Sequence, residues 1–116
     1  MKTRSCKNKG ARLQNFIVDN LRKKFKADQD AESRLEGIIQ SNPMGNSGRD
    51  VKLAGWMQDE LPFDIEAKNC ETWSVPQWWR QTVENTGKNR KPLLVMKKNR
   101  HPVLVVMRFE DWLDLL

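Results

Sequence analysis

The run Pro62-Phe63-Asp64-Ile65-Glu66-Ala67-Lys68 constrains this chain more than any other stretch. Apolar and charged residues alternate along it, which is the period of a β-strand. Phe63, Ile65 and Ala67 therefore share one face, and Asp64, Glu66 and Lys68 the other. The first face can lie on a core. The second carries a carboxylate and an ammonium two residues apart, aimed at the same volume, and such a row is costly to bury unless it is paired.

The remaining elements supply what that strand needs on either side. A chain of 116 residues makes one domain with a core that needs no staples. Residues 1–9 are basic and polar and read as a flexible arm, and 10–116 as the single domain. Between 10 and about 25, Gln14, Ile17, Val18, Leu21 and Phe25 recur at offsets of 3, 4, 7 and 11, with Leu13 and Phe16 beside them. That spacing predicts an amphipathic helix. Lys23, Lys24 and Lys26 stand at its last turn, where cations suit the helix dipole. A polar connector follows over 27–33.

Glu36-Gly37-Ile38-Ile39-Gln40-Ser41 predicts a short strand ended by Asn42-Pro43. Met44-Gly45-Asn46-Ser47-Gly48 is a turn rich in residues that tolerate positive φ, and 49–53 pair back as the second strand of a hairpin. The stretch 54–61 is ambiguous, with a short helix carrying Trp56 and Met57 as one reading. After the 62–68 strand, Pro76 suits the first turn of a helix reaching about Asn85, stopped by Thr86-Gly87. Residues 91–97 and 103–107 are expected as buried strands on either side of the turn Asn99-Arg100-His101-Pro102. Phe109, Trp112, Leu113 and Leu116, at offsets 0, 3, 4 and 7, predict a helical cap. The order is α-β-β-β-α-β-β-α: an α/β fold, a mixed β-sheet flanked by helices.

Charge narrows the partners. The formal net charge is +6, and it is clustered. Residues 1–30 hold nine Lys or Arg against three acids, and 88–101 hold six and no acid, whereas 109–116 turn acidic. Two basic regions suit a phosphate backbone gripped from more than one side, although solvated basic loops look the same in sequence. No apolar run approaches the length of a membrane span, and the first residues lack the apolar stretch of a signal peptide. Cys6 and Cys70 stand far apart with only His101 for company, too few ligands for structural zinc. An intracellular, reducing setting with free thiols is expected.

An acid-x-Lys triplet is weak alone, and Asp50-Val51-Lys52 is a second match. Glu66-Ala67-Lys68 stands out by context. It ends a predicted strand, sixteen residues after an Asp that closes a Gly-rich hairpin, and a helix with a polar face follows. This constellation resembles the PD-(D/E)xK nuclease superfamily, and within it the small Holliday junction resolvases of archaeal and phage type. The matching runs are Met44 to Leu53, Leu61 to Lys68, and Lys91-Pro92-Leu93-Leu94-Val95, in a likeness that covers most of the chain from Gly10 to Leu116.

The resemblance implies a restriction-endonuclease-like fold and a Mg²⁺-dependent endodeoxyribonuclease, with Mn²⁺ able to substitute. Asp50 would be its first acid, Glu66 its second and Lys68 its lysine. Arg49 stands where the motif has proline. Gln14 stands where many relatives carry a metal-holding Glu on the first helix, so either it would act through water or the site would hold one firm metal. A polar residue on the helix after the strand positions water or backbone in that superfamily, and Gln81, sharing a face with Gln77, is the candidate. The implied substrate is branched DNA, a four-way junction. Two incisions related by a two-fold axis would require a homodimer, with the acidic, aromatic tail and the Trp78 region as candidate seams. No small-molecule cofactor is implied; a prokaryote or virus-infected host is.

The chemistry can also be argued from the residues. Phosphodiester hydrolysis needs neutralised phosphate charge, a nucleophile available near neutral pH and a stabilised leaving oxygen. Oxygen ligands on Mg²⁺ suit the first two, and Asp50, Glu66 and the backbone carbonyl of Ala67 would be those ligands. Lys68 would orient the attacking water and offset charge on the phosphorane. Lys7, Lys9, Arg12, Arg49, Lys52, Lys88, Arg90, Lys97, Lys98 and Arg100 are the candidate DNA-binding side chains, with His101 as a phosphate neighbour. Plainer readings stand beside these. One reads Asp50 as a turn cap only, and Glu66 with Lys68 as a same-face ion pair. Trp73, Trp78 and Trp79 suit a core or dimer seam as well as base stacking. The whole could be a non-catalytic basic DNA-binding module, or a nuclease for nicked or mismatched DNA.

Overall fold

Helix α1 (Lys2–Phe25) opens the fold and starts earlier than the apolar spacing predicts. The backbone of the basic segment read as an arm continues the helix. Nothing in that segment stops one: proline is missing, and Gly10 costs only about 1 kcal/mol relative to Ala. The computed structural model describes residues 2–26, 37–43 and 48–116, with 2–7 as backbone alone. The connector over 27–33, Glu36 of the first strand and Met44 to Ser47 of the turn lie outside the described residues, as does the Lys7 side chain.

Strands β1 (Ile39–Ser41) and β2 (Val51–Leu53) form the expected hairpin, antiparallel with Ile39 opposite Leu53. Gly48, at φ 94°, takes the left-handed backbone that the turn composition predicts. The ambiguous stretch contains a single turn of helix, α2 (Met57–Glu60), whose Met57 is fully buried. Strand β3 (Phe63–Asn69) follows, then α3 (Val75–Glu84), β4 (Lys91–Lys97), β5 (Leu104–Val106) and α4 (Phe109–Leu113). β3 and β4 are parallel, Phe63 beside Lys91 through Asn69 beside Lys97, with α3 as the crossover that a parallel pair requires. β5 returns antiparallel on the far side of β4.

The strands form two sheets, β1-β2 and β3-β4-β5, where one mixed sheet was expected. Asp50 stitches them together. Its N–H donates to the Ile65 carbonyl at 2.9 Å, and its carboxylate accepts the Ala67 N–H at 2.7 Å, where the next strand-to-strand bond would fall. A side chain thus takes over from backbone at the junction of the sheets.

The alternation read in β3 sorts its two faces correctly. Ile65, Ala67 and Val95 lie on Leu13, Ile17 and Val18 of α1, with Ile39, Val51 and Met57 completing that core. Leu94 and Met96 face the other way, onto Trp78 of α3. Trp78 is therefore core, and it is removed from the candidate seam. Glu66 and Asp64 share this second face and are buried too, so every residue from Phe63 to Ala67 is inaccessible.

Two expectations at the C-terminal end need correction. β5 is not a buried strand: Leu104 and Val105 are 42% and 58% exposed. Nor is α4 a cap, being only five residues long with Phe109 70% exposed. Both sit outboard of β4, where the described chain supplies no further layer to cover them. Among the described residues no helix is long and apolar enough to cross a membrane.

Candidate active site

Asp50, Glu66 and Lys68 meet at the open edge of β3, the edge that β4 does not occupy. Three bonds fix Asp50 and a fourth holds the residue before it. Besides the two to β3, its carbonyl accepts the Asn42 N–H at 2.8 Å, and the Asn42 side-chain amide donates to the Arg49 carbonyl at 2.8 Å. Gln14, buried on α1, hydrogen-bonds the Asp50 carboxylate from the α1 side of the sheet. The Gln14 expected to face the sheet does so, and it touches an acid.

Glu66 approaches the same edge from the α3 side. Its carboxylate is 4% exposed and accepts a long 3.4 Å bond from the Asn85 amide, with the Lys68 ammonium 3.9 Å away. Burial, and then the charge of Asp50, push its carboxyl up to about 7, against the smaller opposing pulls of Asn85 and Lys68. Burial likewise raises Asp50, opposed by the Ala67 N–H, Lys68 and Gln14. Two carboxylates thus share a half-dry site in which burial disfavours ionisation of both and the charge of Asp50 disfavours that of Glu66. Lys68 is too distant from Glu66 to neutralise it by direct hydrogen bonding, and it remains partly exposed.

That charge balance is what a divalent cation corrects. The donors present are hard oxygens: two carboxylates and the Gln14 amide. The Ala67 carbonyl belongs with them, because N–H and C=O of one strand residue leave on the same side and the Ala67 N–H already points at Asp50. No group of three or more His, Cys, Asp or Glu gathers among the described residues. The set therefore fits an ion that keeps several waters, as Mg²⁺ does, and does not fit a caged transition metal.

The polar residue that reaches Glu66 is Asn85, at the C-terminal cap of α3. Gln81, one turn earlier, is half-buried and makes no side-chain hydrogen bond among the described residues. Gln77, Gln81 and Asn85 are spaced four apart, so extending the i, i+4 reading by one step finds the residue that sequence reasoning missed.

Asp64 was missed altogether. It is 3% exposed, on the same face as Glu66, and it anchors three segments. Arg49 Nε lies 3.2 Å from one carboxylate oxygen and Arg90 Nε 3.0 Å from the other, and the Gly87 N–H donates at 2.8 Å. Space at Gly87 is tight: a Cβ there would stand 3.1 Å from Arg49 Nη2 and 3.4 Å from the carboxylate, so a larger residue would press on the Arg49 guanidinium. The remaining Arg90 nitrogens donate to the carbonyls of Gln58, Leu61 and Phe63. Arg90 thus spends its guanidinium inside the fold, contrary to its place among DNA-binding residues. Arg49 keeps about a third of its side chain exposed.

The other candidate cations divide in two. Arg12, Lys52, Lys88 and Arg100 are exposed. Lys9 pairs with Glu71 at 3.3 Å, Lys97 donates to the carbonyls of Lys98 and His101, and Lys98 lies 4.8 Å over the Trp73 ring. These three shape the β4–β5 turn as well as charging it.

No curated protein and no solved structure matches the chain. A family model does, over residues 5–115, so nearly the whole length in which an Asp on a hairpin meets an acid-x-Lys strand is accounted for: the chain belongs to the family described as phage putative PDDEXK endonuclease.

Proposed function

We propose that the protein is a divalent-metal-dependent, structure-selective DNA endonuclease that resolves four-way junctions as a homodimer. The observation that carries the reading is the convergence of Asp50, Glu66 and Lys68 on one strand edge, within a family of endonucleases. Asp50, Glu66 and the Ala67 carbonyl would hold the ion. When bound, it supplies neutralisation of the scissile phosphate and a more acidic water. Gln14 and the Ala67 N–H hold the Asp50 carboxylate in place, and Asn85 does the same for Glu66. Lys68, exposed enough to meet the substrate, orients the attacking water and offsets charge building on the phosphate oxygens. The exposed cations grip backbone without reading bases, which suits recognition by DNA shape.

Dimerisation is supported by the uncovered surface at the C-terminal end. Leu104, Val105, Phe109, Trp112 and Leu113 are all exposed, and β5 is an edge strand whose outer side has no described neighbour. Surface of that kind on a small domain marks an interface. Phe109→Glu is expected to convert a dimer to a monomer in sedimentation equilibrium at micromolar concentration. An unchanged mass excludes this surface as the seam.

Cleavage is tested by incubating the protein with a synthetic four-way junction, linear duplex and single strand, in Mg²⁺ or EDTA. Paired cuts near the junction centre that require the metal are expected. Equal cutting of linear duplex points instead to a nuclease of another substrate, and binding without cutting to an inert DNA-binding module. Lys68→Met should bind the junction normally and cleave it about 10²–10³-fold more slowly. Normal cleavage by that variant removes the role assigned to Lys68.

A further inference from the structure

We propose that a cleft between α1, the end of β3 and the β4–β5 turn holds one unpaired nucleotide of the DNA strand being cut. The cleft has a volume of about 400 Å³, within the range of sites that enclose small ligands. It rests on the nuclease reading for its partner but not for its geometry.

The walls suit a planar base joined to a phosphate. Leu13 and Val103 form an apolar floor, and Phe16 stands beside them 52% exposed. An aromatic side chain left half in water on a helix whose neighbours are core is a stacking surface without a ring partner among the described residues. Arg12, at the same rim, makes no ion pair or hydrogen bond among the described residues. Lys97 adds positive charge, and no acid lines the cleft. Such a site attracts an aromatic anion.

The cleft is also held open by the fold. The Asn69 amide donates to the Lys9 carbonyl at 3.1 Å, tying β3 to α1. Glu71 then accepts both the Lys9 ammonium at 3.3 Å and the Asn99 N–H at 2.7 Å, tying α1 to the β4–β5 turn. The Asn99 hydrogen bond is the largest of the influences that hold the Glu71 carboxyl below its usual range.

Position links the cleft to the chemistry. Asn69 directly follows Lys68 on β3, and Glu66 lies three residues back, roughly 10 Å along the strand. In stacked DNA that is about three base steps. The cleft faces the α1 side of the sheet and Glu66 the α3 side, so the strand must bend around the sheet's end to occupy both. A base within a duplex is stacked above and below and cannot do this; an unpaired one can. The cleft therefore selects branched or splayed DNA over linear duplex.

The test uses splayed duplexes carrying 2-aminopurine at one position at a time in the single-stranded arm, titrated with the full-length protein in EDTA, where no cutting occurs. Fluorescence at one position, or two adjacent ones, should be quenched on binding, and Phe16→Ala should abolish that quench. The same variant should weaken binding of the splayed substrate by about 5- to 150-fold, the range for loss of one base–aromatic stack. Phe16→Leu, which keeps bulk without a ring face, should behave like Phe16→Ala. Arg12→Ala should reduce the slope of log affinity against log salt by about 1. A uniform response along the arm, or a quench that survives Phe16→Ala, overturns the inference even if the protein cuts junctions as proposed. Conversely, a ring-dependent quench in a protein that cuts nothing upholds it and overturns the nuclease reading.

Discussion

Asp64→Ala is expected to lose about 3–5 kcal/mol of folding stability, the cost of breaking a buried charge group by removing one partner. The carboxylate it deletes is 3% exposed and stands between two guanidinium groups. Without it, Arg49 and Arg90 face each other with no intervening negative charge, and the Gly87 N–H loses its acceptor. Arg90 cannot simply swing out to water, because its other nitrogens are bonded to three carbonyls around the α2–β3 connection. A domain of this size has only about 5–15 kcal/mol in total, so the variant should show a large drop in its urea midpoint. Removing Arg90 as well should cost less than the sum of the two single changes, because the second deletion relieves the repulsion that the first creates. A loss below about 1 kcal/mol for Asp64→Ala would mean that solvent already reaches the carboxylate and that the clamp is not a structural element.

The same clamp explains how far the sequence could be read. Alternation in 62–68 identified a strand and its two faces, because period-2 patterning is a local property. It could not separate Asp64 from Glu66, which occupy equivalent positions on one face. What makes the first a scaffold and the second a site residue is which long-range partners arrive: two arginines at 64, an amide and a second carboxylate at 66. Periodicity likewise found the apolar side of β5 and the tail without revealing that the described chain leaves it uncovered. Helix α1 was placed correctly on the core by Leu13, Ile17 and Val18, but its start was set by where apolar spacing begins, and a basic helix needs no apolar residue to continue. The division into two sheets had no local signature at all, since it depends on one aspartate side chain replacing a backbone acceptor.

Glu66→Gln should raise the stability of the metal-free protein at pH 8 by about 1–3 kcal/mol while lowering cleavage by about 10³-fold or more. Both effects come from one cause. Burial and the Asp50 carboxylate raise the Glu66 carboxyl from 4.5 to about 7, so the fold binds this proton more tightly than the unfolded chain does. Between pH 4.5 and 7 the native state therefore carries more protons than the unfolded one, and stability falls as pH rises through that window. The full shift, the Lys68 pull already included, corresponds to about 3 kcal/mol at the top of the window, less whatever water relieves. Glutamine keeps the shape and cannot ionise, so the variant should be flat where the wild type declines. A divalent cation should reverse the order: it stabilises the ionised wild type by mass action above pH 7 and does little for the variant, which has lost a charged ligand. Loss of that ligand removes several kcal/mol of transition-state stabilisation, hence the fall in rate. Thermal melts across pH 4–9, with EDTA or Mg²⁺, separate these effects without any nuclease assay. If wild type and Glu66→Gln keep parallel pH profiles, and Mg²⁺ shifts both alike, the two carboxylates do not share a cation site, and the strand edge at Asp50 is a joint between sheets and nothing more.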